Sequence, residues 1–149
     1  MISKPLVTIC FLTYNAEPFL KKALLPVLNQ DYPAVKVLVS DNGSKDNTMA
    51  IIDSYKANHP NLILRKNTPN IKPGKFYDGC YDNCNGCIQS GLIEGSFVGF
   101  YHSDDIYEKE IVRKEADFLI SHPEVGAVFT LGNSIDEKGR PLSSRFTPD

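Results

Sequence analysis

Two adjacent carboxylates, Asp104 and Asp105, follow an apolar run at Phe97–Tyr101. Neighbouring carboxylates repel each other unless solvent or a cation relieves the repulsion. Mg²⁺ is typically held through one or two protein carboxylates together with the phosphates of a substrate. The alternative is that the pair caps a helix starting near Tyr107, because negative charge is also stabilised at a helix N-terminus. The pair alone leaves both interpretations open.

The residues around this pair belong to an alternating series of strands and helices. The first apolar run does not alternate apolar with polar residues, which is typical of a strand covered on both faces of a parallel sheet. The order strand, helix, strand, helix, strand predicts right-handed crossovers, and therefore an α/β fold with a doubly wound, mostly parallel sheet. The predicted strands are Leu6–Leu12, Val35–Val39, Leu62–Leu64, Phe97–Tyr101 and Val125–Leu131.

Helices are predicted between the strands from apolar residues at helical spacing. Asn15 lies where the N-cap of the first helix belongs, and Pro26 should kink that helix or weaken its last turns. The four predicted helices are Asn15–Leu28, Thr48–Pro60, Phe76–Gly91 and Tyr107–Ser121.

Polar clusters follow three of the predicted strands. Ligands of open α/β sheets bind outside the carboxyl ends of the strands. We therefore expect the three clusters to converge on one edge of the sheet. They are Thr13–Asn15, Asp41–Ser44 and Ser103–Asp105.

The composition is that of a soluble globular domain, because 42% of the 149 residues are hydrophobic and 23% are charged. No apolar run approaches the ~20 residues needed to span a bilayer. The sequence therefore predicts a cytoplasmic protein, with the inner face of the membrane as an alternative location.

The charge is unevenly distributed along the chain. Residues 1–75 carry a net charge of +5 and residues 76–149 one of −7. This asymmetry indicates either uneven surface charge, or an anionic ligand on one half of the chain and a cation on the other. The sequence pI of about 5.9 argues against a nucleic-acid-binding domain, which is typically basic.

Three of the four cysteines, Cys80, Cys84 and Cys87, have a spacing by which some enzymes hold an iron–sulfur cluster. The same spacing places three small residues on one face of a helix. The chain lacks the length and the repeated βα pattern of a barrel around a cluster. Packing of this helix face on the sheet is therefore favoured over a metal cluster or a disulfide.

Four segments taken together are similar to one enzyme family, in order and in spacing. Val7–Asn15, Leu28–Pro33 and Val37–Thr48 resemble the opening signature of family 2 glycosyltransferases, and Phe97–Ile106 resembles that family's acidic DXD region. The resemblance implies a GT-A fold of Rossmann-like type and a nucleotide-sugar donor, most often a UDP-sugar. It also implies a saccharide or glycoconjugate acceptor, polysaccharide biosynthesis, and inversion at the anomeric carbon.

The resemblance also implies roles for individual residues. Thr13 and Tyr14 match the positions that hold the base and the ribose, and Asp41 matches the carboxylate that accepts a hydrogen bond from the base imide. Asp104 matches the acid nearer the ribose. Asp105 matches the residue that coordinates Mn²⁺ or Mg²⁺, with Asp104 as a second candidate ligand. The expected donor-binding set is Thr13, Tyr14, Asn15, Asp41, Asn42 and Asp104.

Some positions depart from the family pattern or have two interpretations. His102 occupies the first acidic position of the usual motif, as a third metal contact or as a residue lining the pocket. Asn42 stands where a second acid is common. Arg65 and Lys66 are expected either to reach the diphosphate or to form a solvated basic patch.

The family's catalytic base normally lies later in the sequence, so we expect it beyond Asp149. We therefore expect residues 1–149 to form a single nucleotide-sugar-binding domain of a longer protein, with the sheet truncated on its C-terminal side and catalysis incomplete. The alternative is a non-catalytic nucleotide-sugar-binding module or an inactive fragment. A receiver-like signalling domain is disfavoured because Gly132 and Asn133, rather than a lysine, follow the run at Val125–Leu131.

Overall fold

The computed structural model describes residues 4–67, 76–136 and 138–145. It has two compact units, Met1–Arg113 and Lys114–Asp149. The strands are β1 (Val7–Thr13), β2 (Val35–Asp41), β3 (Leu62–Lys66), β4 (Phe97–His102), β5 (Asn133–Ile135) and β6 (Pro141–Arg145). The helices are α1 (Leu20–Leu28), α2 (Thr48–Lys56), α3 (Phe76–Gln89) and α4 (Ile111–Ser121). Within these described residues, no helix is both long enough and apolar enough to cross a membrane.

The four strands of the first unit form one parallel sheet in the order β3-β2-β1-β4. Every residue of the central strand β1 is buried, as its continuous apolar run predicts. Thr13 is paired with Asp41, and Asp41 with Lys66, so these strands end at the same edge of the sheet. The predicted α/β fold with a parallel sheet is confirmed.

The first helix begins later than the sequence predicts. Asn15 is not its N-cap, because its φ of 45° is left-handed and α1 begins only at Leu20. The intervening turn is closed by the carbonyl of Ala16, which accepts from the backbone N–H groups of Phe19 and Leu20 at 2.9 and 2.8 Å. Pro26 lies inside α1, which ends two residues after it at Leu28.

The other helices of the first unit follow the predicted order. Helix α2 starts at Thr48 as predicted and ends at Lys56, ahead of Pro60. Helix α3 packs against β1 and β2. Its Cys87 is fully buried with Cys10, Leu12 and Leu38 of the sheet, and Cys80 and Cys84 pack against the same cluster. The predicted packing of the helix cysteines is therefore confirmed, and all four thiols are free.

Two predictions for the last third of the chain are wrong. Helix α4 begins at Ile111 rather than Tyr107, since the preceding residues form a loop. The run Val125–Leu131 is not a strand. It has no regular structure, and its apolar side chains are largely exposed, with Phe129 at 91%. An apolar run becomes a strand only where its backbone groups find partners, and in this unit β5 and β6 pair antiparallel with each other instead.

Candidate functional site

The carboxyl ends of β1, β2 and β4 bring the three predicted polar clusters together. The backbone N–H of Asn42 donates to the carbonyl of Thr13 at 2.9 Å. On the other side of β1, the N–H of Ser103 donates to the carbonyl of Leu12 at 3.2 Å. These two bonds join the loops after β2 and β4 to the end of β1, so the convergence expected from the parallel pattern is present. We call this edge of the sheet the rim.

Thr13 carries a buried hydroxyl with an unmet hydrogen-bonding capacity. Its residue is 3% exposed, and its Oγ1 has no hydrogen-bond partner among the residues that the structure describes. A buried polar group without a partner costs about 1–3 kcal/mol. Such a group calls for an explanation, and a polar ligand that binds at the rim is one.

Asn15 joins the loop after β1 to the loop after β2. Its backbone N–H donates to Ser44 Oγ at 2.8 Å, and its Oδ1 accepts from the backbone N–H of Lys45 at 2.9 Å. Both contacts depend on the left-handed backbone at Asn15, a conformation that asparagine tolerates better than most residues. Tyr14, between Thr13 and this junction, is 46% exposed. The two predicted donor-binding residues therefore differ, because Asn15 has partners within the chain and Tyr14 presents its ring at the surface.

Asp41 is a buried carboxylate, 2% exposed, that shapes the loop following it. Its Oδ2 accepts from the backbone N–H groups of Gly43 and Ser44 at 3.0 and 2.9 Å. The Ser44 hydroxyl donates to Oδ1. Gly43 has a φ of 79°, which glycine adopts without steric cost. Since an ionised carboxylate has about four acceptor positions, these three bonds leave capacity for one more donor.

The acidic pair lies on the loop between β4 and α4, and both carboxylates are exposed. Helix α4 begins six residues after Asp105, so the pair does not cap it, because the effect of a helix terminus falls off within one turn. The hydroxyl of Tyr107 donates to Asp105 Oδ2 at 3.3 Å and accepts from the backbone N–H of His102 at 2.7 Å. Burial raises the pKa of Tyr107, which keeps this hydroxyl protonated and able to donate.

His102 faces the helix α3 side of β4, where its Nδ1 lies 3.9 Å from Cys80 Sγ. Across the described ranges, no three His, Cys, Asp or Glu side chains are grouped closely enough to hold a metal by themselves. Two exposed carboxylates fit a divalent cation whose remaining ligands are phosphate oxygens and water, which is the usual arrangement for Mg²⁺. Asp105 and Asp104 are the residues that would hold such an ion.

Arg65 does not occupy either of its expected positions. It belongs to β3, and its Nη1 donates to Ser40 Oγ at 2.9 Å. Its guanidinium lies so close to Gly86 of α3 that a side chain there would collide with it. Arg65 is therefore held between β2 and α3, whereas Lys66 is exposed at the end of β3.

Three buried polar residues beneath the rim were not identified from the sequence. Ser40, Asn67 and Asn83 are 0%, 7% and 3% exposed, and Asn83 bonds each of the other two. One signal was available for Asn83, because it lies on the same helical face as Cys80 and Cys87, a face predicted to pack on the sheet.

Comparison with known proteins agrees with this geometry. The sequence model of the family described as "Glycosyl transferase family 2" matches residues 8–146. The chain belongs to glycosyl transferase family 2. Members of this family are enzymes, and the resemblance drawn from the four sequence segments is thereby confirmed.

Relatives of this family-2 chain are considerably longer than it is. It is 28% identical over 144 residues to the chondroitin synthase of Escherichia coli, and the aligned region covers 95% of this chain and 19% of the synthase. The crystal structure of Staphylococcus aureus TarS 1-349 in complex with UDP-GlcNAc superposes with a TM-score of 0.66 at 30% identity, over 79% of this chain and 32% of that one. The mannosyltransferase PcManGT from Pyrobaculum calidifontis, in complex with GDP-Man and Mn²⁺, shares the fold with a TM-score of 0.64 at 24% identity, over 79% of this chain and 33% of that one. The family-2 chain thus spans about a fifth to a third of these proteins.

Proposed function

We propose that this chain is the donor-binding part of a glycosyltransferase that binds a UDP-sugar at the rim and transfers the sugar to a saccharide or glycoconjugate acceptor. The observation that carries the proposal is the hydroxyl of Thr13, which is buried at the end of the central strand between Asp41 and the acidic loop and has no hydrogen-bond partner among the described residues. A nucleotide at this edge would give that hydroxyl a partner.

The polar groups around Thr13 suit the parts of a nucleotide-sugar. Asp41 has acceptor capacity left, and the N–H of a uracil imide is a donor that would use it. Tyr14 offers an exposed ring beside the same position, where it would contact the base or the ribose. The solved complex of TarS with UDP-GlcNAc supports the choice of a uridine nucleotide.

Asp105, together with Asp104, would hold Mn²⁺ or Mg²⁺ against the diphosphate. A divalent cation at this position supplies positive charge where the leaving diphosphate becomes more negative. The loop that carries the two carboxylates is joined to β1 through Ser103, so Asp104 and Asp105 are placed at the same edge as Thr13.

The catalytic base is proposed to lie beyond Asp149, and transfer is proposed to proceed with inversion. Asp41 is already bonded within its loop, and Asp104 and Asp105 have proposed roles toward donor and cation. The names of relatives such as the chondroitin synthase support a saccharide acceptor and polysaccharide synthesis. The second candidate, a nucleotide-sugar-binding module without catalysis, shares the same rim and differs only in lacking a base.

Two measurements test this function. Calorimetric titration with UDP, CDP and GDP should show a preference for UDP that Asp41→Ala narrows, with a loss of UDP affinity worth roughly 1–3 kcal/mol, the range for an unmet hydrogen bond. A UDP affinity of Asp41→Ala equal to that of the unaltered protein would make Asp41 only a loop residue. Transfer assays with UDP-sugars then separate an enzyme from a binding module, since residues 1–149 should bind donor and turn over poorly beside a longer protein that includes the base.

A further inference from the structure

A polar network beneath the rim connects helix α3 to the loop that follows β2. We propose that Asn83, in the middle of α3, is a positioning residue that holds the Asp41–Asn42 segment in the conformation that recognises the base. This inference rests on the proposed function, in which that segment contacts a uridine nucleotide. Asn83 is 3% exposed and is not among the residues that the sequence analysis singled out.

The side-chain amide of Asn83 is engaged at both of its ends. Its Nδ2 donates to the carbonyl of Ser40 at 2.9 Å. Its Oδ1 accepts from the hydroxyl of Ser40 at 2.6 Å and from Nδ2 of Asn67 at 2.9 Å. Because one group must donate and accept at the same time, an amide fits this position, whereas a carboxylate would lose the donor and an aliphatic side chain would lose both.

Asn83 bonds two residues, Ser40 and Asn67, that are themselves connected to Asp41. Ser40 is the residue immediately before Asp41 and is clamped by Asn83 through its backbone and its side chain. Asn67 donates its backbone N–H to the carbonyl of Asp41 at 2.8 Å, while its side chain contacts Asn42 Oδ1 at 3.5 Å. Asn83 therefore restrains the backbone of Asp41 through Ser40 on the same strand and through Asn67 after the neighbouring strand β3, without touching the Asp41 carboxylate.

The network is closed against solvent and reinforced by one charge. Arg65 donates to the same Ser40 hydroxyl at 2.9 Å and packs against Gly86, one turn of α3 beyond Asn83. Buried hydrogen bonds are stronger than solvated ones and a buried group left unpaired is costly, so a network with every member satisfied has one preferred arrangement. Loss of Asn83 would remove the group that accepts from both the Ser40 hydroxyl and Asn67 Nδ2 and that donates to the Ser40 carbonyl, which would loosen the restraint on the Asp41 backbone.

The test uses nucleotide preference, which loss of stability alone does not change. UDP carries an N–H at ring position 3 that cytosine lacks, so the ratio of CDP to UDP dissociation constants reports the bond to Asp41. Asn83→Leu and the milder Asn83→Asp are compared with Asn61→Leu and Asn61→Asp. Asn61 also donates through Nδ2, to the carbonyl of Val35 at 3.3 Å, but at the opposite end of β2. Titrations are run well below the thermal midpoint of every variant.

We expect both Asn83 variants to lower the CDP-to-UDP ratio by roughly fivefold to tenfold, the value of about one hydrogen bond. Their gain in UDP affinity on adding Mn²⁺ should match that of the unaltered protein, because the cation is proposed to lie at Asp105. The Asn61 variants should lose stability but keep the ratio. An unchanged ratio in Asn83→Asp, or an equal fall in the Asn61 variants, would overturn the positioning role while leaving the proposed function intact. A lack of UDP preference in the unaltered protein would instead overturn both.

Discussion

Tyr101 and Tyr107 stack face to face, with ring centroids 3.9 Å apart and ring planes 5° from parallel. Tyr101 is buried near the end of β4, and Tyr107 lies beyond the acidic pair. The stack therefore closes a short loop on which Asp104 and Asp105 are exposed. The Tyr107 hydroxyl then links the His102 backbone to the Asp105 carboxylate. This arrangement holds one carboxylate of the pair in place before any ligand arrives.

Tyr107→Phe should weaken the cation site while keeping the stack. The ring remains against Tyr101, but the bonds to His102 and Asp105 are lost, at a cost of about 0.5–1.5 kcal/mol in unfolding free energy each. We expect the Mn²⁺-dependent gain in UDP affinity to fall several-fold in calorimetry, with affinity in EDTA unchanged. Tyr55→Phe, a tyrosine on α2, is the matched control. A full Mn²⁺ effect in Tyr107→Phe would show that the hydroxyl does not position Asp105.

Substitution of Asp104 and of Asp105 should affect cation binding and nucleotide binding differently. Asp105→Asn should remove most of the Mn²⁺-dependent gain, because a neutral amide is a weak ligand for a hard cation. Asp104→Asn should weaken UDP binding in both buffers, with a smaller change in the Mn²⁺ effect. Titration of each variant with and without EDTA measures both quantities. The reverse pattern would exchange the two assignments.

Thr13→Val should stabilise the free protein and weaken nucleotide binding. The substitution removes a buried hydroxyl that has no partner in the described part of the chain, so unfolding free energy should rise by about 1 kcal/mol. UDP affinity should fall roughly fivefold to tenfold if the hydroxyl serves the ligand.

The matched control for Thr13 is Thr48→Val. Thr48 is equally buried, but its Oγ1 accepts from the backbone N–H of Ala16 at 2.8 Å, so its loss should destabilise the protein. Chemical denaturation and calorimetry measure both variants. Destabilisation of Thr13→Val with undiminished UDP binding would show that the Thr13 hydroxyl serves the fold alone.

The four thiols should react slowly in the native protein, for two different reasons. Cys10 and Cys87 are fully buried, and a hydrogen bond between their thiols raises the pKa of Cys10 and lowers that of Cys87. Burial raises the pKa of the partly exposed Cys80 and Cys84, so few of their thiols are ionised at neutral pH. Raising the pH should therefore speed modification of Cys80 and Cys84 and leave Cys10 and Cys87 protected until the protein unfolds.

The rate of reaction with a thiol reagent in native and denaturing buffers checks this prediction. The control is the double variant Cys80→Ser/Cys84→Ser, which should not react while it is folded. Elemental analysis should find no stoichiometric iron or zinc. Rapid native modification of the double variant, or one tightly held metal per chain, would contradict the packing role.

Features carried by long patterns in the chain were predictable, and features set by single tertiary contacts were not. The buried run of β1 predicted a parallel sheet, and parallel strands place Thr13, Asp41 and Asp104 at one edge whatever the details of the loops. The helical periodicity after Asp105 could not reveal that Tyr107 stacks on Tyr101 and so delays α4 to Ile111.

The same reason explains the other errors. Asn15 has the residue type of an N-cap, but its bonds with Ser44 and Lys45 take it into a left-handed turn. Asn83 is bonded to Ser40 across about forty residues of sequence, a distance at which no local pattern reports a contact. The apolar run at Val125–Leu131 has the composition of a strand, but in the part of the chain that the structure describes no strand pairs with it.

The most direct measurement of the central claim is the affinity of the unaltered chain for UDP, by calorimetry, in Mn²⁺ and in EDTA. The account predicts one site per chain, tighter binding in Mn²⁺, and a preference for UDP over CDP in both buffers, because base and diphosphate are held by separate groups on one rim. Equal affinity in the two buffers would contradict the cation site at Asp105, and no binding in either would contradict the assignment of the rim to a nucleotide-sugar.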